Sequence, residues 1–208
     1  IVIGVGVQAK VDESVNKKFD FDDASTRFIK AVLEKSAMIG VRGEITAQYM
    51  KKLGFAEEKD FTVIGCPSMY LHGDTVPLKE IGELTPQSKV SVNRKINMPA
   101  KLHQFIYDSS QRFTDAMFVP QGIDDLLLLY AGKFIDRSKY PKIPDNYPWK
   151  MDHPICAQGH EIGFSNVPSW LDFLKTRDFS FGSRIHGNVA AVMAGIPAYI
   201  FAPDARIL

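Results

Sequence analysis

Apolar and polar positions along the chain switch between a two-residue and a helical period. The opening run IVIGVGVQA (1–9) reads as a buried strand entering a glycine-rich turn. From Asp22 the period is helical: a helix starting near Asp22–Ser25 is expected to bury Phe28, Ile29, Val32 and Leu33. AMIGV (37–41) predicts a short strand ending at Arg42. Thr46–Leu53 then predicts a helix with Ile45, Tyr49 and Leu53 on one face and Gly54 as its stop. FTVIG (61–65) is the next strand, running into Cys66-Pro67-Ser68. Residues 69–88 break the alternation with prolines and charges. It resumes as a strand at KVSVN (89–93), a helix over Ala100–Arg112, a strand at AMFVP (116–120) and a helix over Asp124–Ala131. The proline-rich stretch Lys139–Trp149 reads as an irregular loop, PICAQG (154–159) as a strand and Pro168–Lys175 as a helix. DFSFGS (178–183), NVAAVMAG (188–195) and AYIFA (198–202) form a last strand–helix–strand unit, with Asn188 as the expected N-cap and Gly195 as the stop.

This alternation is the pattern of parallel sheets covered by helices, so the fold class is α/β. The expected architecture is two Rossmann-like parallel-sheet domains facing a cleft. Residues 1–68 would be the second half of the N-terminal domain, 69–88 an interdomain connection, and 89–208 the C-terminal domain. The chain has no initiator Met and starts inside an apolar run, so it is expected to be part of a longer protein.

Composition narrows the function classes. The 25 basic and 24 acidic residues leave a net charge of +1, which gives no electrostatic case for nucleic acid or an anionic membrane. No run approaches the ~20 apolar residues of a membrane span. Two cysteines, Cys66 and Cys156, make no disulfide framework, so a cytoplasmic location is expected, free or at the inner face of the membrane. The Gly4-x-Gly6-x-x-Ala9 spacing imitates a dinucleotide fingerprint, but the polar residues after it show no helical period. Its glycines read instead as permitting close backbone approach beside a ligand or another loop.

The chemistry concentrates in the turn Ser183-Arg184-Ile185-His186-Gly187. Ligands of open α/β sheets bind beyond the carboxyl ends of the strands, where this turn lies. A guanidinium and an imidazole two residues apart, next to a helix N-terminus, make an anion site with a proton donor. The competing structural reading is a turn Arg bridging to a carboxylate. Arg42 and Ser68 occupy comparable strand-end positions, as do Gln121, Asp204 and Arg206. Asp124 and Asp125 read as helix-capping residues. His153, Cys156 and His160 lack a fourth metal ligand in the sequence, and no metal is expected. Tyr147, Trp149 and Trp170 could stack on sugar rings, although Trp170 reads better as a helix core residue.

The block FGSRIHGNVAAVMAGIPA (181–198), followed by Asp204-Ala205-Arg206, resembles the C-terminal signature of the polysaccharide pyruvyl transferase family. IVIGVGVQ (1–8), VRGEITAQYMKKLG (41–54) and VIGCPS (63–68) add weaker similarity. The resemblance implies the glycosyltransferase B-like arrangement of two facing domains. It also implies transfer of a pyruvyl group from phosphoenolpyruvate to sugar hydroxyls as a ketal, with a glycan or lipid-linked sugar as acceptor and no cofactor. Arg184 and His186 would be catalytic, His186 as the acid. Arg42, Ile185, Gly187, Asn188, Gly6, Ser68, Gln121, Asp204 and Arg206 would bind substrate. Where the family usually has Asp after Arg42, this chain has Gly43. The rival readings are a nucleotide-sugar glycosyltransferase of the same fold and a non-catalytic glycan- or nucleotide-binding domain.

Overall fold

A computed structural model describes residues 1–7 and 14–201. The chain divides into two compact units, with the break between Gly73 and Asp74.

The first unit contains helix α1 (Asp22–Leu33), strand β1 (Ile39–Val41), helix α2 (Glu44–Lys52) and strand β2 (Phe61–Val63), then a 3-10 turn over Pro67–Tyr70. β1 and β2 pair in parallel, Ile39 opposite Phe61. Ile29, Ile39, Val41, Ala47, Met50, Phe55 and Phe61 form the core. The opening run is not the buried strand its composition suggests. It lies beside β1 through the Val5–Val41 bridge and backbone hydrogen bonds of Val2 and Val5 with Gly40, with Ile1, Ile3 and Val5 exposed. Gly4 of this run and Gly40 of β1 are required by packing. A Cβ on Gly4, at φ +69°, would come 2.5 Å from the Pro67 ring, and Gly40 of β1 is likewise closed off by Ile64. α1 buries Ile29, while Phe28 is exposed rather than buried, because one helical step of about 100° carries it off the apolar stripe. Asp22 anchors the start of α1 to α2 by accepting from Tyr49 (2.8 Å) and Lys52 (2.6 Å).

The second unit is a four-stranded parallel sheet of β3 (Lys89–Asn93), β4 (Asp115–Phe118), β5 (Phe179–Gly182) and β6 (Ala198–Ile200), in the order β4-β3-β5-β6. The helices are α3 (Ala100–Ser110), α4 (Ile123–Ala131), α5 (Pro154–Ala157), α6 (Val167–Lys175) and α7 (Ile185–Met193). Val90, Val92, Met98, Ile106 and Phe181 form one core cluster, and Leu174, Ala190, Ala191 and Ile196 another. The expected strand at 154–159 is instead the short helix α5, started by Pro154 with His153 Nδ1 accepting from the Ile155 N–H. α6 is capped by Asn166, whose side chain accepts from the Ser169 N–H at 2.9 Å. Residues 74–88 have no helix or strand and run along the second unit. Lys79 pairs with Asp178 there and its N–H donates to the Gly195 carbonyl.

Candidate active site

The strand order makes the site. Sequence runs outward from β3 to β4 on one side and restarts with β5 on the other, so the sheet has its topological switch point between β3 and β5. Crevices form at such points beyond the carboxyl ends of the strands. Asn93-Arg94 leave β3 there, and Ser183-Arg184 leave β5.

α7 opens earlier than the sequence suggests: Arg184, not Asn188, holds the N-cap position, and Ile185 is the first helical residue. The reason is Asn188, whose side chain is committed to the interior. Its amide donates to the Arg184 carbonyl (3.1 Å) and exchanges bonds with the Asn93 amide (3.2 and 3.4 Å), while Ser180 donates to its oxygen. Asn93 in turn accepts from the Arg184 N–H at 2.8 Å. Ser183 accepts from the Lys95 N–H. Ser183, Arg184 and Asn188 are therefore tied to Asn93 at the end of β3 or to Lys95 just beyond it, and the backbone of the turn is fixed before any ligand arrives. Gly182, at φ +149°, lets the strands close, since a Cβ there would lie 1.8 Å from the Asn93 carbonyl oxygen. Gly187 is buried, and a Cβ there would come 2.6 Å from the Gln121 amide.

The Arg184 guanidinium is aimed by two partners. Nε donates weakly to the Arg94 carbonyl (3.4 Å), and Nη2 lies 3.8 Å from the Asp125 carboxylate. At that separation the pair is a charge contact and not a hydrogen bond, so the guanidinium keeps donors for a ligand. The turn-Arg-to-carboxylate reading thus describes how Arg184 is held. Asp125 is buried and accepts from the Gly122 N–H and the Tyr147 hydroxyl, which makes it the capping residue expected of α4. Burial raises the Asp125 pKa, with the Tyr147 bond and the Arg184 charge pulling it down.

His186, on the exposed side of the first turn of α7, borders a cavity of about 300 Å³ with Gln121, Leu126, Phe164 and Trp170. Ile185 is half-buried beside it. The backbone N–H groups of this first turn have no carbonyl ahead of them in the helix, which leaves partial positive charge at His186.

Gln121 joins Arg184, His186 and Gly187 in the second unit. Arg42, Gly6 and Ser68 belong to the first. There Gly6 lies against the Arg42 side chain, the buried Arg42 Nε has no partner among the described residues, and Ser68 sits in the 3-10 turn with Cys66 as neighbour. Asp204 and Arg206 lie outside the described residues. Two of the proposed stacking aromatics are engaged elsewhere. Tyr147 is fully buried under the Arg94 guanidinium, and the half-buried Trp149 packs against that core with Arg137 and Lys150 over its ring. Trp170, read as core, packs against the Leu174 cluster and also lines the cavity. His153, Cys156 and His160 each turn to a different partner: the Asp145 carbonyl, Glu161 and the Ala116 carbonyl.

Comparison with known proteins is decided by one match: the family model "Polysaccharide pyruvyl transferase" covers residues 1–205. The chain belongs to the polysaccharide pyruvyl transferase family. It is an enzyme of this kind, and membership implies a glycan acceptor. No curated protein and no solved structure matches the chain significantly. No helix among the described residues is long and apolar enough to cross a membrane. Within this pyruvyl transferase, sequence reasoning passed over Asn93, Arg94, Asp125's role as tether, and Phe164. Asn93 left a signal, a polar residue closing an otherwise apolar strand.

Proposed function

We propose that the enzyme transfers the pyruvyl group of phosphoenolpyruvate to two hydroxyls of one acceptor sugar, forming a cyclic ketal and inorganic phosphate. The reading is supported chiefly by the pairing of a tethered Arg184 with His186 at the N-terminus of α7, beside the switch point. The donor carries a phosphate and a carboxylate. Arg184 and the first N–H groups of α7 bind this charge.

His186 protonates the methylene carbon while the first sugar hydroxyl adds to the neighbouring carbon. The phosphate then leaves with the C–O bonding pair, giving an oxocarbenium-like centre. The second hydroxyl closes the ketal, and its proton goes out with phosphate. One hydroxyl proton replaces the one His186 gave, so the enzyme ends as it began. The expected location is cytoplasmic, where phosphoenolpyruvate is made.

Single-turnover rates with saturating phosphoenolpyruvate test this. His186→Ala and His186→Gln should each slow the step by about 100-fold or more, with donor affinity much less affected. Near wild-type turnover of His186→Gln would make His186 a positioning residue. Turnover with a nucleotide sugar, and none with phosphoenolpyruvate, would replace the donor altogether.

A further inference from the structure

The cavity beside His186 has a chemistry of its own. Its other walls are Val119, Pro120, Gln121, Leu126, Phe164 and Trp170, none of them charged. Six buried side-chain polar atoms among the described residues have no partner, and three of them belong to residues that line this cavity: both amide atoms of Gln121 and the indole nitrogen of Trp170. Buried polar groups are almost always paired, so a cluster of unmet ones marks a place where a ligand or ordered water completes them.

The pattern of unmet capacity selects the ligand. The Gln121 amide offers one donating and one accepting end, and the Trp170 indole offers a donor. A sugar hydroxyl both donates and accepts. A phosphate or carboxylate would meet no Lys or Arg in this lining, and the Arg184 guanidinium faces Asp125 and the Arg94 carbonyl. A nucleobase sandwich does not fit either. The Phe164 and Trp170 rings are near parallel, but their centroids are 6.4 Å apart. Two carbon contacts of about 3.5–4.0 Å need at least about 7 Å. The rings are an apolar wall and not a slot. The volume of about 300 Å³ lies at the small end of ligand pockets, room for one ring and not a chain.

We infer that this cavity is the acceptor subsite, in which one neutral pyranose ring packs against Trp170 and Leu126 with its hydroxyls bonded to Gln121. The inference rests on the proposed function for the role of His186, which would then stand between the anion-binding turn and the sugar.

Only two tryptophans occur in the chain, so a Trp149→Phe variant leaves Trp170 as the sole reporter. Titration of this variant with a panel of methyl hexopyranosides should give a saturable change in Trp170 emission for at least one glycoside at millimolar concentration. Gln121→Ala should weaken that binding about ten-fold. Saturation-transfer NMR on the unmodified protein supplies the same comparison should Trp149→Phe not fold. If no glycoside binds, or if phosphoenolpyruvate or a nucleoside saturates the signal in its place, the subsite assignment is wrong. Glycoside binding in a protein whose His186→Gln variant keeps full turnover would sustain the subsite and sink the catalytic reading. Loss of the glycoside signal with an intact His186 effect would do the reverse.

Discussion

Two turns in this protein share one plan, a parallel strand running into a helix with an arginine at the junction. After β1, Arg42 is followed by Gly43, which occupies the N-cap of α2 in extended geometry with no side chain to cap it and nothing within 4 Å of where a Cβ would stand. After β5, Arg184 is itself the N-cap, tied to Asn93, Arg94 and Asp125 and closed in by Gly182 and Gly187. The first turn is open and under-determined, the second over-determined. Fixing a backbone by many partners serves chemistry that needs a charge and a proton donor held in register.

The sharpest way to break the contrast is through its glycines. Gly182→Ala must either push β5 from β3 or force a side chain into a backbone conformation it rarely adopts. The second unit should lose cooperative folding, read as early loss of Trp149 and Trp170 emission structure in a urea titration. Gly43→Ala should leave the same transition within about 1 kcal/mol of wild type. Equal behaviour of the two variants would erase the distinction.

The arginines come next. Arg184→Ala should raise the phosphoenolpyruvate concentration for half-saturation about ten-fold or more, since charge-assisted bonds are worth about 1.5–3 kcal/mol. Lys should restore it only in part, because it lacks the planar fork. Arg42→Ala is measured beside it, because the buried Arg42 Nε has no partner among the described residues. An unchanged half-saturation for Arg42→Ala, measured in steady state, would confine anion binding to the tethered turn.

Much of this was legible in the chain. The alternation of strand and helix gave parallel sheets, and Arg184, His186 and Gln121 came together because all three follow strands of one sheet. What stayed hidden depends on register and tertiary partners. Asn188 has the composition of a cap, yet a three-dimensional network pulls it inward and moves the helix start to Ile185. The 154–159 run is apolar enough for a strand, but Pro154 starts a helix there. Ile1 and Ile3 look buried by type and are exposed by position. The tether from Asp125 to Arg184 spans a long stretch of chain, and no local pattern announces it.

Ionisable groups divide the units again. In the first, the Lys52 bond holds the Asp22 carboxyl down to about 2, so its stabilisation is complete above the unfolded value and is lost as pH falls through that range. In the second, burial pushes Glu161 up to about 7 from 4.5, the Cys156 thiol and Arg94 opposing it. The native state there holds the extra proton, so stability is greatest below about 4.5 and falls as pH rises through 7. Glu161→Gln should therefore raise the urea midpoint at pH 8 by about 1–3 kcal/mol in stability, and change it little at pH 5. His103, which burial holds down to about 4, adds an acid-side loss of its own. The difference between variant and wild type cancels that contribution. A midpoint difference independent of pH would remove Glu161 from the account.

The smallest effect concerns the open turn itself. The first N–H groups of α2 have no side-chain acceptor, and Gly43 already has the extended backbone an N-cap requires. Gly43→Asp would supply a carboxylate to the N–H of Ile45 or Thr46, aligned favourably with the helix dipole. The expected gain is about 0.3–1 kcal/mol, read as a modest rise in the urea midpoint followed by circular dichroism. Space is not the obstacle, since nothing lies within 4 Å of the new Cβ. The informative quantity is activity beside stability. An aspartate next to Arg42 can take up part of its charge, so any anion that Arg42 holds should bind a few-fold more weakly while the protein becomes more stable. A stability gain at unchanged half-saturation would show that the charge at the open turn does not reach the donor, and would leave anion binding to Arg184.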